Sequence, residues 1–237
     1  MTLGRAFLAL LLIGLLGTVW LARLVEQGRV PVPERLNPFT PLDVAAPLGP
    51  LTGWKFWRAS GDARACMAAL ASAGMRFTPV ADTTSSNGCD VRDAVRVSAF
   101  ADAGLNHPFL ASCPLALGLA MAERHGWQPA AESTEHAHIT RIDHVGSYAC
   151  RNINHATQGN LSEHAHANAI DIEDFVLSNG RRITIGGDWG KPTAAGTFLA
   201  QAHAGACRFF HVVLGPDYNA LHQSHFHLDM GPYRTCR

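Results

Sequence analysis

The longest apolar run in the chain is AFLALLLIGLLGTVWLA, residues 6–22, closed by Arg5 and Arg23. An uncharged run of this length matches the shortest membrane-spanning helices. It ends in Trp20, Leu21, Ala22 and Arg23, a poor match to the small-x-small pattern of a cleavage site, which favours an uncleaved signal anchor over a removed leader. The pattern then breaks. Pro31, Pro33, Pro38, Pro41, Pro47 and Pro50 interrupt residues 28–53 without helical or strand period, predicting an extended linker. Asp62 is placed to cap a helix from Ala63 to about Ala73, with Met67, Leu70 and Ala71 on its apolar stripe and Gly74 at its end. A short apolar run at Phe77 to Val80 precedes the polar turn DTTSSNGCD.

Pro114 opens a second helical pattern, LALGLAMAERHGW, and another stretch from about 129 to 138 leads into the β-branched ITRIDHVGSYACR, read as a strand. Asn179-Gly180 between DFVLS and RRITI is a two-residue hairpin signal. Thr193 to Ala206 reads as a helix, and RFFHVVLG and SHFHLDM as strands. This mixture predicts an α+β domain with a central antiparallel sheet and flanking helices. The expected organisation is an anchor over 1–25, a proline-rich linker over 26–55 and one domain over 56–237.

Charge adds little: 19 basic residues balance 19 acidic ones, so no broad attraction to nucleic acid is expected. Lys and Arg counts do not orient the anchor, because Arg5 precedes it while Arg23, Arg29 and Arg35 follow. Cysteines are more informative. Cys66, Cys89, Cys113, Cys150, Cys207 and Cys236 form no C-x-x-C pair, and an even number behind an apolar N-terminal run points to disulfides in an oxidising compartment. That places the domain outside the cytoplasmic membrane. Pairing neighbours in chain order gives Cys66 with Cys89, Cys113 with Cys150, and Cys207 with Cys236.

Histidines carry the candidate chemistry, and they crowd the second half. In SEHAHANAIDI, residues 162–172, a strand would turn Ala167, Ala169 and Asp171 to one face with His164 just before them, a site over a floor of small side chains. In SHFHLDM, His225 and His227 share one strand face while Phe226 and Leu228 point to the core. His164, Asp171, His225 and His227 exceed by one the three protein ligands of a catalytic zinc site, leaving one residue for acid-base work.

These residues resemble a known pattern. Ser162-x-His164-x-x-Ala167-x-Ala169-x-Asp171 is similar to the S-x-H-x-x-G-x-A-x-D motif of zinc D-alanyl-D-alanine peptidases, and His225-Phe226-His227 to their H-x-H. Those enzymes share one metallopeptidase superfamily (LAS) with lysostaphin-type peptidases and the hedgehog domain. GSYACR, SEHAHANAIDI, VLGPDYNALH and SHFHLDM, with NPFTPLDV and the first cysteine-bearing helix, more closely resemble the bacterial extensin-like C-terminal domain family. The resemblance implies a LAS-metallopeptidase-like domain with Zn2+ on His164, Asp171 and His227. It implies His225 as a catalytic residue and Arg151 as a substrate-facing one. Ala167 replaces the motif's glycine, and a methyl there is expected to narrow the approach to metal.

Other residues have plainer alternatives. His136-Ala137-His138 repeats the H-x-H spacing but has no aspartate at fitting distance, and His166 alternates with His164 as a possible ligand. His211 and His222 read as partly buried polar residues. Ser162, Glu173 and Asp229 are candidates for roles behind the ligands or at the substrate; Glu163 and Glu173 are possible bases, though solvated or arginine-paired carboxylates are more ordinary. The expected protein is a single-pass bacterial inner-membrane zinc peptidase with a periplasmic domain acting on peptidoglycan peptides. A non-catalytic cell-wall binding module and a metal store are the alternatives.

Overall fold

The structure, a computed structural model, describes residues 3–237; residues 1 and 2 of the expected anchor lie outside the described residues. The apolar run forms α1 (Leu3–Glu26), whose stretch Gly4–Glu26 is long and apolar enough to cross a membrane. Gly28, at φ 69°, closes this helix, and the amides of Arg29 and Val30 turn back to the Leu24 carbonyl.

The proline-rich segment is not the loose extended linker expected: it makes a 3-10 turn at Glu34–Leu36 and is tied to the domain. Lys55 in α2 (Thr52–Ser60) donates to the Glu34 carbonyl at 2.8 Å and to Thr40 Oγ1 at 2.6 Å, and Arg58 donates to the Pro38 carbonyl. Leu42 and Val44 are buried in the domain core. α3 (Ala63–Ser72) follows, its first turn capped by the Asp62 carboxylate accepting from the Ala65 amide at 2.8 Å.

β1 (Arg76–Val80), β2 (Ala94–Ala99), β3 (Gly104–Leu105) and β4 (Phe109–Ser112) come next; β1, β2 and β4 make an antiparallel three-stranded sheet in that order. Ser112 caps α4 (Cys113–Ala122), with Pro114 in its first turn where no amide is needed. α4 runs through a π turn at Glu123–Trp127 into α5 (Gln128–Glu135). The two helices expected here are thus one rod, which stops at His136 in the left-handed region (φ 50°), short of the expected 138.

The larger sheet contains β5 (Ile139–Gly146), β6 (Ala169–Leu177) and β7 (Arg182–Thr184). After α6 (Ile185–Asp188) and α7 (Ala194–Ala206) come β8 (Val212–Leu214), β9 (Phe226–Asp229) and β10 (Thr235–Cys236). Its order is β10-β8-β9-β6-β5-β3, with β7 also on β6. The central strands β5, β6, β8 and β9 pair antiparallel; β3 and β10 join at the edges in parallel. Asn179-Gly180 makes the expected hairpin, but its loop is three residues, Ser178 to Gly180, with Gly180 at φ 83°. RFFHVVLG contributes only three strand residues, and SHFHLDM only the last four before Met230.

Side-chain alternation splits the sheet into two faces. Ile142, Ile170, Ile172, Phe175, Phe226 and Leu228 are buried, and Phe175 meets Trp127 and Phe198 edge-on at 5.5 and 5.1 Å between ring centroids. Deleting such an aromatic from a core costs about 3–5 kcal/mol. The rod and α7 cover this face at close range, because Gly126 and Gly205 meet backbone to backbone: a Cβ on Gly205 would lie 3.0 Å from the Gly126 Cα. The opposite face is left for chemistry.

Along β6 the buried large side chains are Ile170 and Ile172, then Phe175 and Leu177, so the two-residue period slips. Register explains the slip. Asp143 faces Asp174 while His144 faces Ile172, leaving Glu173 as the extra residue of a β-bulge.

The disulfides are Cys66–Cys113, Cys89–Cys150 and Cys207–Cys236. Only the last follows the chain-order expectation; Cys66–Cys89 and Cys113–Cys150 are corrected. β4 pairs with β2 and delivers Cys113 at the start of α4, against α3 and Cys66. The polar turn holding Cys89 is carried instead to the segment after β5. Tertiary pairing therefore crosses the two bridges.

Candidate functional site

The chemistry face of the large sheet is built row by row. Asp171 on β6 stands directly opposite His227 on β9, with Leu214 of β8 beyond His227 and Gly146 of β5 on the other side of Asp171. Gly146, at φ 143°, puts no side chain into that row. The next row places Ala169 opposite Asp229. Strand register alone thus brings one carboxylate and one imidazole together.

His164 arrives from a short 3-10 turn, Glu163–His166. The Ser162 hydroxyl accepts from the His164 amide at 3.4 Å, the Ser162 amide donates to the Arg151 carbonyl at 3.0 Å, and the Ala149 amide donates to the His164 carbonyl at 3.1 Å. The turn is therefore clamped on the segment after β5, which the Cys89–Cys150 bridge also holds. Its buried imidazole then faces the sheet: Nε2 lies 3.3 Å from Asp171 Oδ2 and 3.2 Å from His227 Nδ1. His227 Nδ1 lies 2.9 Å from Asp171 Oδ1.

The outer nitrogens assign the inner ones. His164 Nδ1–H donates to the Ser147 carbonyl at 3.2 Å, and His227 Nε2–H donates to Asp229 Oδ2 at 3.0 Å. Both inner nitrogens then present lone pairs to the Asp171 carboxylate. One such donor atom from each of His164, Asp171 and His227 lies within 4.8 Å of the others. Three acceptors converging in a partly buried place need a cation between them. In the metal-free chain a proton takes that part: burial works against charge on His227, but hydrogen bonds to Asp171 and Asp229 push its pKa up to about 9. Burial would likewise raise Asp171, yet its bonds with His164 and His227 hold the carboxyl far below the usual range. The donor set and its outer partners fit a metal ion.

His225 sits beside the trio, its Nε2 3.6 Å from Asp171 Oδ1. Burial pulls its pKa down despite Asp171, with His227, His164 and Arg151 adding to the effect. Arg151, half-buried, lines the same cleft of about 720 Å³, together with Tyr218, Leu221 and Tyr233. Asp229 accepts from His227 and also from the Gly231 amide at 2.8 Å, closing the turn after β9.

The expectations for Ala167 and Glu173 fail here, while the plainer readings of Glu163, His166, His136 and His138 hold. Ala167 is not in the strand and does not narrow the cleft: it adopts φ 51°, the reason a glycine suits this position, and its methyl packs with Val91 and Ala94. Glu173, displaced by the bulge, does not line the cleft; burial and the charges of Asp174, Asp143 and Asp171 raise its pKa. Glu163 does reach the cleft but accepts from Asn168 Nδ2 at 2.6 Å and packs against Gly231. His166 turns away to the Asp90 carbonyl at 2.9 Å, and His136 and His138 lie at the other end of the β5–β6 ladder.

His222 is the buried polar residue the sequence suggests, and it also lines the cleft. It lies in the cleft wall, 5.3 Å from His225 and 5.7 Å from His227 between ring centroids, its Nδ1–H donating to Asn219 Oδ1 at 2.8 Å. Burial, with the neighbouring imidazoles, lowers its pKa to about 4. The sequence signal was Asn219, three residues earlier, where a capping side chain could fix the ring. Other histidines are spent on carbonyls: His125 on Val44, His144 on His107, His203 on Arg237 and His211 on Gly231.

Residues 64–237 match the family described as Extensin-like protein C-terminus. The chain belongs to that family. The extensin-like region thus includes all six cysteines, His225, His227 and the His164 turn, and excludes α1, the proline segment and α2. No curated protein and no solved structure matches the chain.

Proposed function

We propose that this chain is a zinc-dependent hydrolase of the bacterial envelope that cleaves peptide bonds in peptidoglycan stems or cross-links. In this reading α1 anchors it in the cytoplasmic membrane, the domain is periplasmic, and the site is akin to that of the zinc D-alanyl-D-alanine peptidases. The observation that carries the proposal is the convergence of His164 Nε2, the Asp171 carboxylate and His227 Nδ1, each imidazole fixed from behind. Three disulfides agree with an oxidising compartment.

Zinc on two imidazoles and one carboxylate would keep a net positive charge and supply a Lewis acid at the cleft floor. The protein's own groups do the rest. His225, low in pKa and adjacent to the ligands, takes a proton from the attacking water or donates a hydrogen bond to oxygen gaining charge. Arg151 meets substrate. Tyr218, Leu221 and Tyr233 shape the apolar wall that positions a chain of peptide or sugar.

The same wall favours the second reading, a zinc-containing binding module that holds the polymer without cutting it. Incubating sacculi with the zinc-loaded protein, then separating the released and retained muropeptides by mass, distinguishes the two. Shortened stems or opened cross-links that vanish on chelation support hydrolysis. Retention on sacculi with an unchanged muropeptide profile supports the module.

A further inference from the structure

α2 presents an unusual surface for so small a helix. Trp54 and Trp57 stand one turn apart, 5.0 Å between ring centroids, and are 47% and 65% exposed. Leu36, on the segment clamped to α2, is 47% exposed. The helix TGWKFWRAS has Lys55 and Arg58 beside the tryptophans and no acidic residue. Large aromatic rings are normally buried or used, so this patch calls for an occupant.

The chain itself restricts what that occupant is. α1 ends at Glu26, and the amides of Arg29 and Val30 fold back onto Leu24, so residues 27–30 add almost no reach. Glu34 is already held by Lys55, and Pro38 by Arg58. Only the steps from Val30 to Glu34 are free, a span of at most about 14 Å. A helix crossing a membrane would therefore deliver α2 to the lipid headgroup region. Tryptophan rings partition to that region, and a helix with no acidic residue meets no repulsion from lipid phosphates there.

We infer that the Trp54–Trp57 face of α2 docks into the headgroup layer of the membrane that α1 crosses, fixing the domain close to the bilayer. The inference rests on the reading of α1 as an uncleaved anchor. A short tether and an interfacial foot together restrict which way the cleft faces, so the enzyme reaches only polymer near the membrane.

The test uses the full chain reconstituted in vesicles of phosphatidylglycerol and phosphatidylethanolamine, with and without brominated acyl chains. Wild type is compared with W54S/W57S, and the difference in emission isolates the α2 pair from Trp20, Trp127 and Trp189. Both positions are exposed, so the variant should retain the native far-ultraviolet circular dichroism and thermal transition. Docking predicts that brominated lipid reduces the difference emission about twofold or more and that this emission is blue-shifted. An intact, membrane-bound chain whose difference emission ignores brominated lipid overturns the docking while leaving the anchor. A response to soluble glycan fragments instead assigns the face to cell-wall polymer and also overturns it. Recovery of a shortened chain lacking α1 overturns the anchor reading and the tether argument with it.

Discussion

His225-Phe226-His227 and His136-Ala137-His138 have the same spacing and opposite fates. The first begins just before β9, where His227 stands opposite Asp171 and Asp229 holds its outer nitrogen. The second lies at the end of α5, where the adjoining Glu135 is paired with Arg181 and His138 is exposed. Ile139 faces Leu177 there, whereas Gly146 faces Asp171 at the site, roughly 20 Å along the same ladder. A third pair, His164 and His166, diverges within one turn: His164 enters the cleft and His166 bonds the Asp90 carbonyl. Spacing nominates candidate ligands, but register and the group behind each ring decide which imidazole reaches the Asp171 carboxylate.

On the proposed hydrolase reading, the sharpest contrast between the two ends is in turnover. His225→Ala should retain metal and fold while lowering turnover by about 10² to 10⁴. His138→Ala should leave turnover unchanged. Assaying both on the same muropeptide substrate checks this.

Breaking the bridges comes next. Cys89→Ala with Cys150→Ala opens a bridge spanning 61 residues and should cost about 4 kcal/mol in denaturant unfolding. Because that bridge abuts Arg151 and the segment clamping His164, it should also weaken metal retention. Removing Cys66–Cys113, which spans 47 residues, should cost about as much stability and leave metal retention alone.

His144 lies between the two ends of β5. It packs 4.2 Å from His107 between ring centroids, and burial lowers its pKa below the ordinary 6.5. The unfolded chain therefore binds a proton that native His144 resists. Its contribution is full above about pH 6.5 and is lost as pH falls, at up to about 1.4 kcal/mol per pH unit. The drop in Tm between about pH 7.5 and 5.5 should narrow in His144→Phe. The smallest effect belongs to Ala167→Gly. Relief of the left-handed backbone offsets the lost methyl contact, so stability should move by less than about 1 kcal/mol and metal binding should not move.

Much of this was legible beforehand. The apolar N-terminal helix, the Asp62 cap, the Asn179-Gly180 hairpin and the alternation in SHFHLDM are local signals, written within a few residues. The features that were not legible depend on partners far away in sequence. Cys113 meets Cys66 only because β4 pairs with β2. Glu173 leaves the cleft only because β6 bulges against β5. Ala167 turns its methyl away because the backbone reverses between the His164 turn and β6. His222 gains its place from Asn219 and from the imidazoles of His225 and His227, which no periodicity reveals.

The central claim is that His164, Asp171 and His227 form the metal centre. Zinc titration of metal-stripped protein by calorimetry tests it directly, across wild type, His227→Ala and the double variant His136→Ala/His138→Ala. The account predicts one tight zinc per chain in wild type and in the double variant, and none in His227→Ala. Tight stoichiometric zinc in His227→Ala, or its loss in the double variant, would contradict it.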